Sequence, residues 1–456
     1  MTGVPPEEPR ASDDGDAAAV ARESIAPPMP ADVEARFNAD VARDFKRNMT
    51  AHMLHGMLGQ TGFRLVETPT LVPAYVFLIS GSTTAVGIAR AAQALGTLLT
   101  PIVGATMIEH RKRVLPMVFG TGLGMRLPLL IIALAGFFLQ PKAALVILCA
   151  MMAAYGFFQG MQMVTFSVLV SKVIPVDRRG AMLGRRNTLG GLAATTVALF
   201  SGSLIEHNTF GNGYASTFLV AFLLTAAGLA SLILIREPAS PAVRKKSEQL
   251  LTRLRELPAL TRDDPAYRDY LIARSIGTLG RMAVPYYVIY AGKVMHLPGE
   301  KLGMLTAGFL LAQTVSSMIW GELGDRRGFR DVLSWSLGIW TVATVGLTYA
   351  HELPGVLAGF VGLGIGLGGF QLACTNLVLE FGEREDIPMR VALAQTAEQL
   401  VVVVAPLLGS ALIESVSYEA MFWTAATVQA IALVITVVRV QDPRARARAA
   451  SLVVPR

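Results

Sequence analysis

From about residue 50 to residue 438 the chain is a succession of long apolar runs, most of them joined by very short connections. The runs lie near 50–80, 84–107, 114–138, 143–173, 180–206, 215–236, 268–295, 302–322, 331–350, 353–382, 389–414 and 417–438. Each approaches or exceeds the ~20 residues that carry an α-helix across the hydrocarbon core of a bilayer. Only 16% of the 456 residues are charged and the mean hydropathy is +0.50, whereas a soluble domain is roughly a quarter charged. The pattern predicts an all-α membrane protein with about twelve transmembrane helices. Cys149 and Cys374 fall inside apolar runs, so they read as small buried hydrophobes rather than a disulfide or a thiol metal site.

Basic residues set the orientation. With both ends cytoplasmic, the connections on that side hold Arg111-Lys112-Arg113, Arg178-Arg179, Arg244-Lys245-Lys246, Arg326-Arg327-Arg330, Arg384 and Arg390. The tails add Arg43, Lys46, Arg47, Arg444, Arg446 and Arg448, while the opposite side has only Lys142, Lys293 and Lys301. That asymmetry satisfies the positive-inside rule. It also turns the sequence pI of about 9.5 into an inner-leaflet belt, so no nucleic-acid partner is expected. Arg exceeds Lys in an Ala- and Gly-rich chain, a composition that fits a GC-rich bacterium and hence the bacterial cytoplasmic (inner) membrane.

The chain divides into a largely disordered cytoplasmic tail (1–48), two helical halves (49–236 and 267–440), a cytoplasmic linker (237–266) and a basic tail (441–456). Ala31–Arg47 is expected to form a short amphipathic helix at the membrane surface. In the linker, Leu250, Leu251, Leu254 and Leu257 recur at helical spacing, as in a helix lying on the inner leaflet. The halves repeat one another. VGIARAAQALGTLLTPIVGATMIEHR (86–111) lies over LGMLTAGFLLAQTVSSMIWGELGDRR (302–327), pairing Gly87 with Gly303 and Gly104 with Gly321. Gln159 corresponds in the same way to Gln371, at an offset of about half the chain.

The second copy ends in GELGDRRGFR, a charged, glycine-punctuated turn between two apolar runs that must sit at the lipid–water boundary. The stretch resembles the cytoplasmic-loop motif of the major facilitator superfamily (MFS), Gly-x-Leu-Ala-Asp-Arg-x-Gly-Arg-Lys. Gly321, Leu323, Asp325, Arg326, Gly328 and Arg330 match it, with Gly324 for the Ala and Phe329 for the first trailing Arg. The first-half copy keeps Gly104 but has Ile108 at the Asp position, with Glu109 beside it. The resemblance implies twelve helices in two pseudo-symmetric six-helix bundles around a central cavity, lined by spans one, two, four, five, seven, eight, ten and eleven.

Charges within a span cost ~2.5–3.5 kcal/mol each even on the lenient insertion scale, so they face water or a partner. At mid-depth stand Arg64, Glu67, Arg126 and Arg281, with Gln93, Gln159, Gln162, Gln313, Gln371 and Asn376. Almost all lie on the spans that the resemblance assigns to the cavity. Arg64 and Arg281 occupy similar depths in the two halves and would attract an anionic or carboxylate-bearing solute, oriented by Gln159 and Gln371. A competing reading pairs Arg64 with Glu67, three residues on, as a structural ion pair. Arg126 lies on a peripheral span, where a structural or gating role is expected. Glu67 and Glu398 are the candidate proton carriers.

For gating, the resemblance sets Asp325 against Arg178, Arg179, Arg185 or Arg186, and Glu109 against Arg390, in the state closed to the cytoplasm. Gly321, Arg326, Gly328 and Arg330 belong to the same device. Pro69, Pro73 and Pro285 are expected to kink the first and seventh spans, and Gly362, Gly364, Gly366, Gly368 and Gly369 to allow close helix packing. The fifth span, NTLGGLAATTVALFSG, lacks the proline of the family's drug-exporter motif, and Gly156 stands where its fourth-span motif has Arg.

The sequence thus reads as a secondary transporter moving a small polar organic solute, an anion being the favoured class, by alternating access. Protons are the candidate coupling ion, the bilayer is the surroundings and a monomer the working unit. The alternatives are a transporter-like receptor or assembly partner without turnover, and a multidrug/proton antiporter of the same family. No phosphate loop, metal-ligand cluster or nucleophile constellation points to an enzyme, and no cofactor is expected.

Overall fold

The computed structural model describes residues 31–98, 100–108, 111–239, 261–262, 264–381 and 387–441. Among these the chain is almost wholly helical and has no strand. In order, the helices are α1 (Ala31–Glu67), α2 (Leu71–Ser80), α3 (Thr83–Leu98), α4 (Thr100–Ile108), α5 (Leu115–Phe138), α6 (Pro141–Val173), α7 (Val176–Glu206) and α8 (Gly213–Ser231). There follow α9 (Pro265–Leu279), α10 (Tyr287–Val294), α11 (Gly299–Arg327), α12 (Phe329–Tyr349), α13 (Leu353–Leu377), α14 (Ile387–Ser415) and α15 (Tyr418–Val438).

Local chemistry explains where they begin and end. Asn212, Asp264 and Ser417 accept hydrogen bonds from the N–H groups of Ala215, Tyr267 and Ala420, capping α8, α9 and α15. Proline opens α6 and α9, where its missing N–H is no loss. Gly328, at φ 98°, turns the chain from α11 into α12 in one residue, a conformation closed to most side chains. The loop-motif glycine is therefore required by backbone geometry.

All twelve predicted stretches are helical. Among the described residues nine helices are individually long and apolar enough to cross a membrane, and the bent α1–α2 pair makes ten. Of the other two predicted stretches, one is covered by α3 and α4 on either side of residue 99, which lies outside the described residues, and the other is divided into α9, a 3₁₀ segment (Gly280–Tyr286) and α10. Proline is at both expected kinks: Pro69 lies in the break where α1 and α2 bend by 45°, and Pro285 lies in the 3₁₀ segment. Leu78, Phe138, Val146 and Val342, each more than 60% exposed, face outward as lipid-contacting side chains do.

One boundary differs from expectation. Residues 31–48, assigned to the largely disordered tail with a short surface helix, are the start of the continuous α1. They are held by the segment that leaves α8: Arg47 donates to Leu234 O (2.6 Å), and buried Asn48 exchanges hydrogen bonds with the Arg236 backbone (2.9 and 3.1 Å). The acidic cluster, the leucine-bearing part of the linker, the basic C-terminal tail, Arg384 and Glu109 lie outside the described residues.

In the first set of helices, α1 packs on α7 and α8, α3 and α4 on α6, and α5 on α6 and α8. In the second, α13 is flanked by α11 and α12, and α15 packs on α9 and α12. Two seams join the sets, α7 with α11 and α3 with α14. Of the repeat-paired glycines, Gly87 and Gly303 occupy one seam each. A Cβ on Gly87 would meet Tyr286 Oη at 2.8 Å, and one on Gly303 would meet Gly202 Cα at 2.9 Å. Both seams are tight toward the end that carries Glu206, Gly299 and Glu414. There Thr83 and Thr84 donate to Glu414, and a Cβ on Gly299 would meet Glu206 N at 2.3 Å. The α13 glycines do let neighbours approach: positions 364 and 366 lie against Phe309 O and Trp340 Cβ.

Candidate functional site

Between the two sets lies a cavity of about 360 Å³. Its first wall is built on the break after α1. With Pro69 unable to donate, α1 ends at Glu67, and Arg64, Glu67, Thr68 and Pro69 all face the hollow. The carbonyl of Thr68, left without a helical partner, accepts Arg90 Nη2 at 2.6 Å. Arg90 Nη1 donates to Gln93 Oε1 (3.0 Å), and Gln93 in turn donates to Gln159 Oε1 (3.5 Å). Gln159 Nε2 and Tyr155 Oη (3.1 Å) both donate to Glu67 Oε1. This carboxylate is thus held by neutral donors.

The opposite wall is built on the 3₁₀ segment and α14. Arg281 Nη1 stands 3.4 Å from Glu398 Oε1, and Arg274 Nη2 bonds Glu398 Oε2. Arg281 is about a third exposed to the hollow, whereas Arg274 is nearly sealed behind it. Arg274 also donates to Tyr270 Oη (3.0 Å), which donates to Cys374 O (2.7 Å). Gln313, Gln371 and Gln399 complete this side.

Of the predicted solute contacts, Arg64, Glu67, Gln93, Gln159, Arg281, Gln313 and Gln371 line the cavity, as does Glu398. Arg64 donates to Thr314 Oγ1 (3.4 Å) and makes no ion pair with Glu67. Gln162 and Asn376 are not among the lining residues. Gln162 accepts from Thr121 Oγ1 (2.5 Å) between α5 and α6, and Asn376 donates to Leu372 O (2.8 Å) on its own helix. Arg126, expected to have a structural or gating role, lies on α5 away from the cavity lining. Fully buried, it donates to Thr225 O and Gly122 O (2.6 Å each) and lies over the Phe63 ring.

Sequence reasoning passed over Arg90, Arg274, Tyr155 and Gln399. Arg90 was within reach, since it and Gln93 are three residues apart on one face of a cavity span. A larger hollow of about 900 Å³ on the outer face, beside Trp335, Val342 and Tyr349, is apolar-walled and offers a polar solute almost nothing.

The gating candidates fall into different surroundings. Asp325 and Arg326 are exposed near the end of α11, where Arg326 pairs with Glu322 (2.6 Å), and Gly321 has open space around its Cα. Arg330 Nη2 donates to Val437 O (2.6 Å), holding a terminal carbonyl of α15. Arg178 lies over the Phe45 ring, Arg179 donates to Ile174 O (2.9 Å) and Arg185 is exposed. Arg186 is buried over the Phe166 ring, 3.4 Å from His55 Nδ1, inside the first set of helices. Arg390 is likewise inside the second set, paired with Asp264 at 2.6 Å and stacked over Tyr267.

Comparison with known proteins follows this geometry. The Major Facilitator Superfamily model matches residues 57–299 and again 270–453. An uncharacterized MFS-type transporter of Mycobacterium tuberculosis is 27% identical over 131 residues, which are 29% of this chain and 23% of that protein. A multi-drug resistance efflux pump PmrA homolog of Lactococcus lactis is 24% identical over 277 residues, 58% of this chain and 64% of that protein. The chain therefore spans less than two thirds of the length of either relative. Among solved structures, the nucleoside transporter NupG superposes with a TM-score of 0.67 at 9% identity, covering 87% of this chain and 99% of that one. The human organic anion transporter MFSD10 gives 0.59 at 14% identity, covering 86% and 99%. At these identities the likenesses show the fold alone. A family model that covers nearly all of the described helices, and a polar cavity between two packed helix sets, together make the chain a member of the Major Facilitator Superfamily, a family of multi-pass membrane transporters.

Proposed function

We propose that the protein is a secondary active transporter that carries a small polar organic anion by alternating access. The observation that carries this reading is the cavity itself: arginines and glutamines from both helix sets converge on one hollow at the middle of the helices. Guanidinium groups in such a place are costly unless an anion or water meets them. In this reading residues 49–236 and 267–440 are two bundles that rock about the cavity, tethered by residues 237–266. Positive-inside orientation makes the tight Glu414 end periplasmic, so the conformer is inward-facing in a bacterial inner membrane, with both termini cytoplasmic and a monomer sufficient for turnover.

Of the two proton-carrier candidates, Glu67 is the better placed. It faces the cavity without an ion-pair partner, whereas Glu398 is shared between two arginines. Asp325 and the basic start of α7 form the cytoplasmic gate. Proteoliposomes with Arg281→Gln test the anion reading. Transport of an organic-anion panel should fall to background while membrane insertion and thermal stability persist, and unchanged transport would discard it.

A further inference from the structure

The number of charges at the cavity, beyond their sign, narrows the solute class; this step rests on the anion reading above. Four guanidinium groups meet here: Arg64, Arg90 and Arg281 line the hollow, and Arg274 backs Glu398. Only two carboxylates, Glu67 and Glu398, oppose them, and no other ionisable side chain is among the lining residues. Two positive charges are left over. They are divided evenly: Arg274 and Arg281 share Glu398, while Arg64 and Arg90 stand against Glu67. The hydrogen bonds of Arg64 and Arg90 go to neutral acceptors, namely Thr314 Oγ1, Gln93 Oε1 and Thr68 O.

Arg90 and Arg281 face the same hollow, one from each wall. Bringing the walls together around an empty or neutral-filled cavity would press like charges into a medium of falling dielectric. A single negative charge would relieve one wall only. We infer that the solute is a small organic dianion, a dicarboxylate or a phosphate monoester, whose two charges neutralise one excess arginine charge on each wall. A cavity of about 360 Å³ limits it to a compact molecule. Arg90 is then a specificity-determining residue, because it sets the charge number that the site accepts.

Binding to the purified full-length protein tests this directly. Malonate, succinate and glutarate would each be titrated beside the monoanionic monomethyl ester and the uncharged dimethyl ester. Glycerol phosphate would be titrated beside its monoanionic methyl phosphodiester (counted with the monoesters) and its uncharged dimethyl triester. At least one dianion should bind on the order of a hundredfold more tightly than its monoester. Arg90→Gln should shrink that ratio by about tenfold or more. A preference for dicarboxylates over glycerol phosphate would show charges held apart on the two walls; the reverse would show them met together. Monoesters binding as tightly as every dianion would overturn the charge count yet leave the anion reading standing. Binding of uncharged solutes alone, or of none of the probes, would overturn both. Should Arg90→Gln fail to fold, the unsubstituted protein's dianion-to-monoester ratio decides alone.

Discussion

Each wall of the cavity presents one carboxylate, and the two are held by different means. Glu398 is gripped by Arg274 from behind and Arg281 from the front, and Arg274 is itself tied through Tyr270 to the backbone of α13. Glu67 has only the phenol of Tyr155 and the amide of Gln159. A buried carboxylate between two guanidinium groups is held from both sides by charge-assisted contacts that neutral donors do not match in strength. One held by neutral donors can change its protonation state with its partners in place. Two halves related by an internal repeat have thus come to differ, one wall fixed and the other adjustable.

Three substitutions sharpen or break this contrast. Arg274→Gln should have the largest effect, costing about 1.5–3 kcal/mol of stability as its bonds to Glu398 and Tyr270 are lost, read as a drop in thermal melting in detergent. A melting curve like the parent's would mean the second wall is not held by its ion pairs. Glu67→Gln should cost no more than about 1 kcal/mol, since Tyr155 and Gln159 can donate to an amide oxygen. Its consequence should be functional: accumulation in proteoliposomes no longer responds to an imposed pH gradient. If the response survives, the adjustable wall is not the proton site. Tyr155→Phe should have the smallest functional effect, costing about 0.5–1.5 kcal/mol of stability, with transport slowed and pH response retained. A loss as severe as that of Arg274→Gln would erase the distinction between the walls.

Much of this was legible before any coordinates. Asp325, Gly328 and Arg330 announced the turn between α11 and α12, and Pro69 and Pro285 announced the broken helices that carry the site. The polar residues of the walls were legible as a set, because charge and amide groups in apolar runs stand out. Two of them went elsewhere. Gln162, three residues from Gln159 on α6, turned toward Thr121 on α5, and Asn376 bonded its own helix. Arg186 and Arg390, expected near the gate, are buried against aromatic rings inside their own helix sets.

Sequence alone determined the solvent this protein lives in, the apolar helical stretches and the prolines at which two of them break. Those properties are local: hydropathy summed over a span, a missing N–H at proline, a positive φ at glycine. Tertiary structure decided which side chains share the hollow. Arg274 and Arg281 are seven residues apart and would lie on one stripe of an unbroken α-helix. The 3₁₀ segment beginning at Gly280 separates them, so one sits behind Glu398 and the other in front. The phase of a helix toward its neighbours is set by packing between segments far apart in the chain, and no window of sequence contains it.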